Sequence, residues 1–138
     1  FGLIVIDIDD FKSINDQHGH GVGDDVLRHV ARRLEACVRG EDVVARLGGD
    51  EFGVVTGPIG PGELAALVDR ITQITSGSPF RVGGELLTVR VSVGGSTVRP
   101  GDDASALLER ADDAMYDAKG VAVGDRPARA RNWGAPTR

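Results

Sequence analysis

The sequence holds a single cysteine, Cys37, in 138 residues. An internal disulfide is therefore excluded, and so is a cysteine-rich zinc site. That scarcity fits a reducing compartment, so a cytoplasmic domain is expected, with membrane attachment of a longer protein left open. Long apolar runs are missing as well. None approaches the ~18 residues a membrane-crossing helix needs, and no signal peptide is visible. Positive charge is short: 16 Lys and Arg stand against 21 Asp and Glu, giving a formal net charge of −5. Nonspecific binding of nucleic acid is a poor expectation for such a chain, whereas a free nucleotide held through metal is compatible with it. Internal repeats are absent.

What is present suits one globular domain. The hydrophobic share is 41%, enough for an ordinary core. Twenty glycines fit several tight turns, or backbone brought close to a ligand.

Residues 3–8, L-I-V-I-D-I, read as a buried central strand. Polar turns containing His18-Gly19-His20-Gly21 are expected next. Over 24–38, Val26, Leu27, Val30, Leu34 and Cys37 mark one helical face, with Asp24 and Asp25 at its start. Residues 42–46 and 52–57 are expected strands around Gly48-Gly49, a hairpin signal. A helix is predicted over 63–75, strands over 80–82 and 86–98 with Gly83-Gly84 between them, and a last helix over 104–119. The basic stretch from Arg126 to Arg131 is expected to be loose. The order predicts an α/β fold with a mainly antiparallel central sheet flanked by helices.

Asp7 ends the first strand, where a carboxylate beside a core is costly unless paired or bound to metal. If strand and hairpin are neighbours, Asp50 approaches Asp7, and two carboxylates with oxygen ligands suit Mg²⁺ better than zinc. A regular strand would point Asp50 and Glu51 apart, so either the hairpin is irregular or their roles differ. Read singly, each feature also has a plain structural explanation: a capping Asp, a solvated Gly-Gly turn.

Taken together, the motifs resemble the GGDEF domain of bacterial diguanylate cyclases over roughly residues 2–120. The resemblance lies in Asp7-Ile8-Asp9-Asp10-Phe11-Lys12, Ile14-Asn15-Asp16, Gly19-His20, Gly23-Asp24, Arg46-Leu47-Gly48-Gly49-Asp50-Glu51-Phe52, Val91-Ser92-Val93-Gly94, Ala111-Asp112, Met115-Tyr116 and Ala118-Lys119. It implies a palm-like nucleotidyl cyclase fold. It also implies condensation of two GTP into cyclic di-GMP with loss of two pyrophosphates, each monomer of a homodimer holding one GTP. Asp7, Asp50 and the main-chain carbonyl of Ile8 would hold two Mg²⁺ or Mn²⁺ per site, with Asp50 and Glu51 as the catalytic acids. Asn15 and Asp24 match guanine readers. Gly48 and Gly49 make room for nucleotide, and Lys12 and Lys119 match phosphate-holding positions.

Arg39-x-x-Asp42, with Arg70 on the next helix, resembles the family's inhibitory product site. Two departures stand out. The family's Gly-Arg-Asn after the lysine is missing, so either Arg126 substitutes from a displaced position or the phosphate clamp is weakened. The leading segment is absent before Phe1, so the domain is expected over 1–122 and a tail or linker over 123–138. Sensory or phosphodiesterase domains are the expected partners in a longer protein. The alternative is a catalytically weak module that binds GTP or cyclic di-GMP and regulates a neighbouring domain.

Overall fold

A computed structural model describes residues 1–77 and 79–126. Residues 127–138, most of the expected tail, lie outside the described residues. Strand β1 (Gly2–Ile8) is buried at all seven positions, as its almost wholly apolar, largely β-branched run favours. It pairs antiparallel with β3 (Glu51–Thr56) on one side and with β6 (Val91–Thr97) on the other, and β2 (Val43–Arg46) adds to β3. The sheet order is β2-β3-β1-β6. Strands β4 (Phe80–Val82) and β5 (Glu85–Leu87) form a separate hairpin. Its turn places Gly83 and Gly84 at φ 57° and 83°, the left-handed region that two-residue hairpins favour.

Alternation along β1 divides the core. Ile4, Ile6 and Ile8 face α2 (His20–Cys37) and α3 (Pro61–Ser76), meeting Val26, Val30, Leu34, Leu64 and Ile71. Leu3 and Val5 face α4 (Ala104–Lys119), meeting Ala111, Met115 and Tyr116. Helix α4 lies so close to β6 that a side-chain carbon on Gly94 would come within 2.0 Å of the Met115 nitrogen. Asp7 is the next residue after Leu3 and Val5 on that same face, and so points toward the end of α4.

Three expectations are corrected. The segment after β1 is not a set of turns but helix α1 (Phe11–His18), whose Phe11 and Ile14 pack on the core. One residue, Gly19 at φ 90°, separates it from α2, which starts at His20. Asp24 therefore lies inside a helix, not at its start. Finally, 86–98 is not one strand. Residues 88–90 leave the β4–β5 hairpin and enter β6, because only β6 has a partner in the main sheet.

Candidate active site

The end of β1 and the start of β3 bring together three acids. Asp7 and Glu51 are directly paired across the two strands, so their side chains share a face, and both are 2% exposed. Asp50 sits one residue before β3, outside the regular ladder, and its carbonyl accepts from the Ile8 amide at 3.0 Å. Freed from strand alternation, it turns to the same place. One carboxylate oxygen from each of Asp7, Asp50 and Glu51 lies within 4.8 Å of the others. The hairpin is thus irregular where both acids need it to be, and Glu51 points inward.

The loop between them is tied by the main chain. Leu47 N–H donates to the Glu51 carbonyl at 2.8 Å, and the Arg46 guanidinium donates to the carbonyls of Gly48 (3.0 Å) and Gly49 (2.9 Å). Neither glycine has a positive φ. A side-chain carbon on Gly49 would meet nothing within 4 Å, and one on Gly48 only Glu51 at 3.9 Å. No internal packing demands glycine here, so the bare backbone leaves space on the outer side of the loop.

Electrostatics single out Asp7. Burial pushes its carboxyl up to about 6; the hydrogen bond from Lys119 works against this, and the Asp50 charge works with it. Lys119, the last residue of α4, pairs with Asp7 Oδ2 and stands 3.7 Å from Asp9 Oδ1. Burial alone would lower its ammonium, but the bond to Asp7 and the charges of Asp7 and Asp9 outweigh it, and its pKa is raised. Asp7 Oδ1 is buried and receives no hydrogen bond. An unserved buried carboxylate oxygen beside two further carboxylates is a donor set that fits a hard divalent cation. Asp7, Asp50 and Glu51 are the residues that would hold it, with Ile8 adjoining through its bond to Asp50.

The expected nucleotide readers are spread over α1 and α2. Lys12 is exposed in the first turn of α1, and Asn15 is half-buried. Asn15 Oδ1 occupies the place a side chain on Gly23 would take, 1.8 Å from that carbon. Gly23 thereby seats Asn15 against α2, next to the exposed Asp24. Arg126 is turned elsewhere. Its guanidinium pairs with Asp113 (2.9 Å) and Asp117 on the outer side of α4 and also bonds the Val121 carbonyl.

Away from the acids, a cavity of about 380 Å³ is lined by Arg39, Asp42 and Arg70 with Cys37, Thr56 and Glu63 among others. The three expected product-site residues therefore meet. Asp42 has work of its own: its two oxygens accept from the amides of Arg39 and Gly57, each at 3.0 Å. Arg39 is two-thirds exposed and 3.9 Å from Glu63.

Sequence reasoning missed Ser92, whose hydroxyl donates to Asp9 Oδ1 at 2.7 Å. Its signal was a polar residue within a valine-rich strand, which reads equally as a solvated face. Arg46 stood inside the quoted motif without a role.

The family described as diguanylate cyclase, GGDEF domain, matches residues 1–122. The chain belongs to that family. It is 46% identical over 119 residues to the response regulator PleD of Caulobacter vibrioides, covering 84% of this chain and 26% of PleD. The chain thus spans about a quarter of that relative's length. The solved GGDEF domain of PA1120 (YfiN or TpbB) from Pseudomonas aeruginosa superposes with a TM-score of 0.79 at 40% identity, covering 88% of this chain and 76% of that one. The GGDEF domain of DgcB from Caulobacter crescentus, solved in complex with c-di-GMP, superposes at 0.80 with 33% identity, covering 86% and 71%. The GGDEF domain's fold is the palm-like one expected, a mainly antiparallel sheet flanked by helices.

Proposed function

We propose that residues 1–122 form a diguanylate cyclase domain, with 123–138 as tail or linker, that condenses two GTP into cyclic di-GMP. In each of two equivalent steps the 3′-oxygen of one GTP bonds to the α-phosphorus of the other. The α–β phosphoanhydride bond breaks, and pyrophosphate leaves. Each monomer of a homodimer presents one GTP, so the reacting centres meet across the dimer.

The observation behind this reading is the Asp7–Asp50–Glu51 cluster, with Asp7 and Glu51 buried and Asp50 half-buried, and the unserved Asp7 oxygen. Two Mg²⁺ or Mn²⁺, held by Asp7, the Ile8 carbonyl and Asp50, would supply charge neutralisation at the attacking and leaving oxygens. Asp50 takes the 3′-hydroxyl proton, and Glu51 completes the acidic wall. Asn15 and Asp24 read the guanine edge; adenine leaves their polar groups unpaired and is refused. Gly48 and Gly49 leave the nucleotide room, and Lys12 and Lys119 hold the triphosphate tail as flexible point charges. Product binds in the cavity of Arg39, Asp42 and Arg70 and inhibits, with guanidinium groups recognising guanine or phosphate in bidentate fashion. The domain works in the cytoplasm beside sensory or phosphodiesterase domains.

One observation favours the catalytically weak alternative. Arg126, expected at the phosphates, is engaged by Asp113 and Asp117. Incubation with GTP and Mg²⁺, followed by chromatography for cyclic di-GMP, decides between the two. Turnover abolished by Asp50→Ala supports the cyclase. No turnover, with product binding lost in Arg39→Ala, supports the module.

A further inference from the structure

The Lys119 ammonium stands between two carboxylates of different burial. The Asp7 side chain is 3% exposed, and that of Asp9, 3.7 Å away, is 28% exposed. Asp9 lies just past the end of β1, where a side chain would ordinarily be loose. Two bonds from the β6 side fix it. Its N–H donates to the Arg90 carbonyl at 2.8 Å, and the Ser92 hydroxyl donates to its Oδ1 at 2.7 Å. Ser92 is itself buried and sits opposite Asp7 in the β1–β6 register, so the sheet holds that hydroxyl in place. The proposed reaction uses neither Asp9 nor Ser92.

A divalent cation on Asp7, Asp50 and Glu51 competes with Lys119 for Asp7 and repels its charge at short range. A lysine released with no second anchor swings on its four-carbon stem into solvent. We propose that Asp9, held by Ser92, is a positioning residue that takes over the Lys119 ammonium when a cation takes Asp7. The lysine then stays at the mouth of the site, where the triphosphate arrives. The inference rests on reading the three acids as the metal site.

The test is Mn²⁺ binding to the nucleotide-free chain, followed by electron paramagnetic resonance at pH 8. The variants are wild type, Ser92→Ala, Lys119→Met and their double, each checked for folding by thermal melting. Ser92→Ala changes no charge. It is expected to weaken Mn²⁺ about tenfold or more, the order set by one hydrogen bond to a charged group. In the Lys119→Met background it is expected to change nothing, because no ammonium remains to be handed over. Equal loss in both backgrounds, as a direct Asp9–metal contact would give, overturns the inference, and so does no loss with the lysine present. A wild-type chain whose Mn²⁺ binding is nil, or indifferent to Asp7→Asn, removes the metal site itself and the inference with it.

Discussion

Asp7 and Glu51 face each other across the β1–β3 ladder, both almost wholly buried. Like charges directly opposite in a sheet are destabilising. Here the cost is met partly by Lys119 and partly by the raised Asp7 carboxyl.

That raised value sets a pH dependence. Unfolded Asp titrates near 4, whereas folded Asp7 titrates at about 6. Between these values the folded state holds a proton that the unfolded state has lost. Stability from this group therefore falls as pH rises from about 4 to about 6 and stays low above it, by about 3 kcal/mol in the metal-free chain. Chemical denaturation at pH 4.5 and pH 7.5 should show about 2 kcal/mol of this fall in wild type and its loss in Asp7→Asn. Saturating Mg²⁺ should restore stability at pH 7.5.

The opposite sign belongs to Asp102. Hydrogen bonds from Arg110 (2.7 and 2.5 Å) and from the Arg99 amide (2.7 Å) hold its carboxyl down at about 2. Its contribution is present above the usual carboxylate range and lost as pH falls toward 2. Asp102→Asn should lower the melting temperature at pH 7 while leaving it near wild type at pH 2. An equal drop at both pH values would contradict the ion-pair account.

Neighbouring glycines on β6 should differ sharply. A methyl on Gly94 meets the α4 backbone at 2.0 Å, whereas on Gly95 it meets the side chains of Val68 and Leu64 at 3.1 and 3.3 Å. Backbone cannot step aside, but side chains can. Gly94→Ala should cost about 3 kcal/mol or more in urea unfolding, and Gly95→Ala less than about 1.5 kcal/mol.

Within Arg39-x-x-Asp42 the two ends should separate. Asp42→Ala strips two amides of their acceptor and should destabilise by about 1–2 kcal/mol. Arg39→Ala, at an exposed side chain, should leave stability within about 0.5 kcal/mol and reduce cyclic di-GMP affinity in calorimetry. Affinity unchanged in Arg39→Ala would remove the product-site reading.

Much of this molecule was readable along the chain. The almost wholly apolar run from Leu3 to Ile8 marked the central strand, the 3.6-residue rows marked α2, α3 and α4, and Gly83-Gly84 marked a hairpin. Such patterns are local, and burial on one or two faces imposes them directly on residue type. Helix α1 escaped notice because eight mostly polar residues show only Phe11 and Ile14 of their apolar side, and packing against the core supplies the rest. The break between β5 and β6 escaped because alternation looks alike in a paired strand and in the link that feeds it.

The candidate site divides in the same way. The sequence by itself placed Asp7 at a strand end and Asp50 and Glu51 at a hairpin, since strand ends and turns are written in residue type. Only the tertiary structure decided that Glu51 turns inward, that Lys119 reaches Asp7 across 112 positions, that Ser92 fixes Asp9, and that Arg126 faces Asp113 and Asp117. Those relationships depend on sheet register and on how closely α4 lies on β6, and no local pattern encodes a distance between segments far apart in the chain.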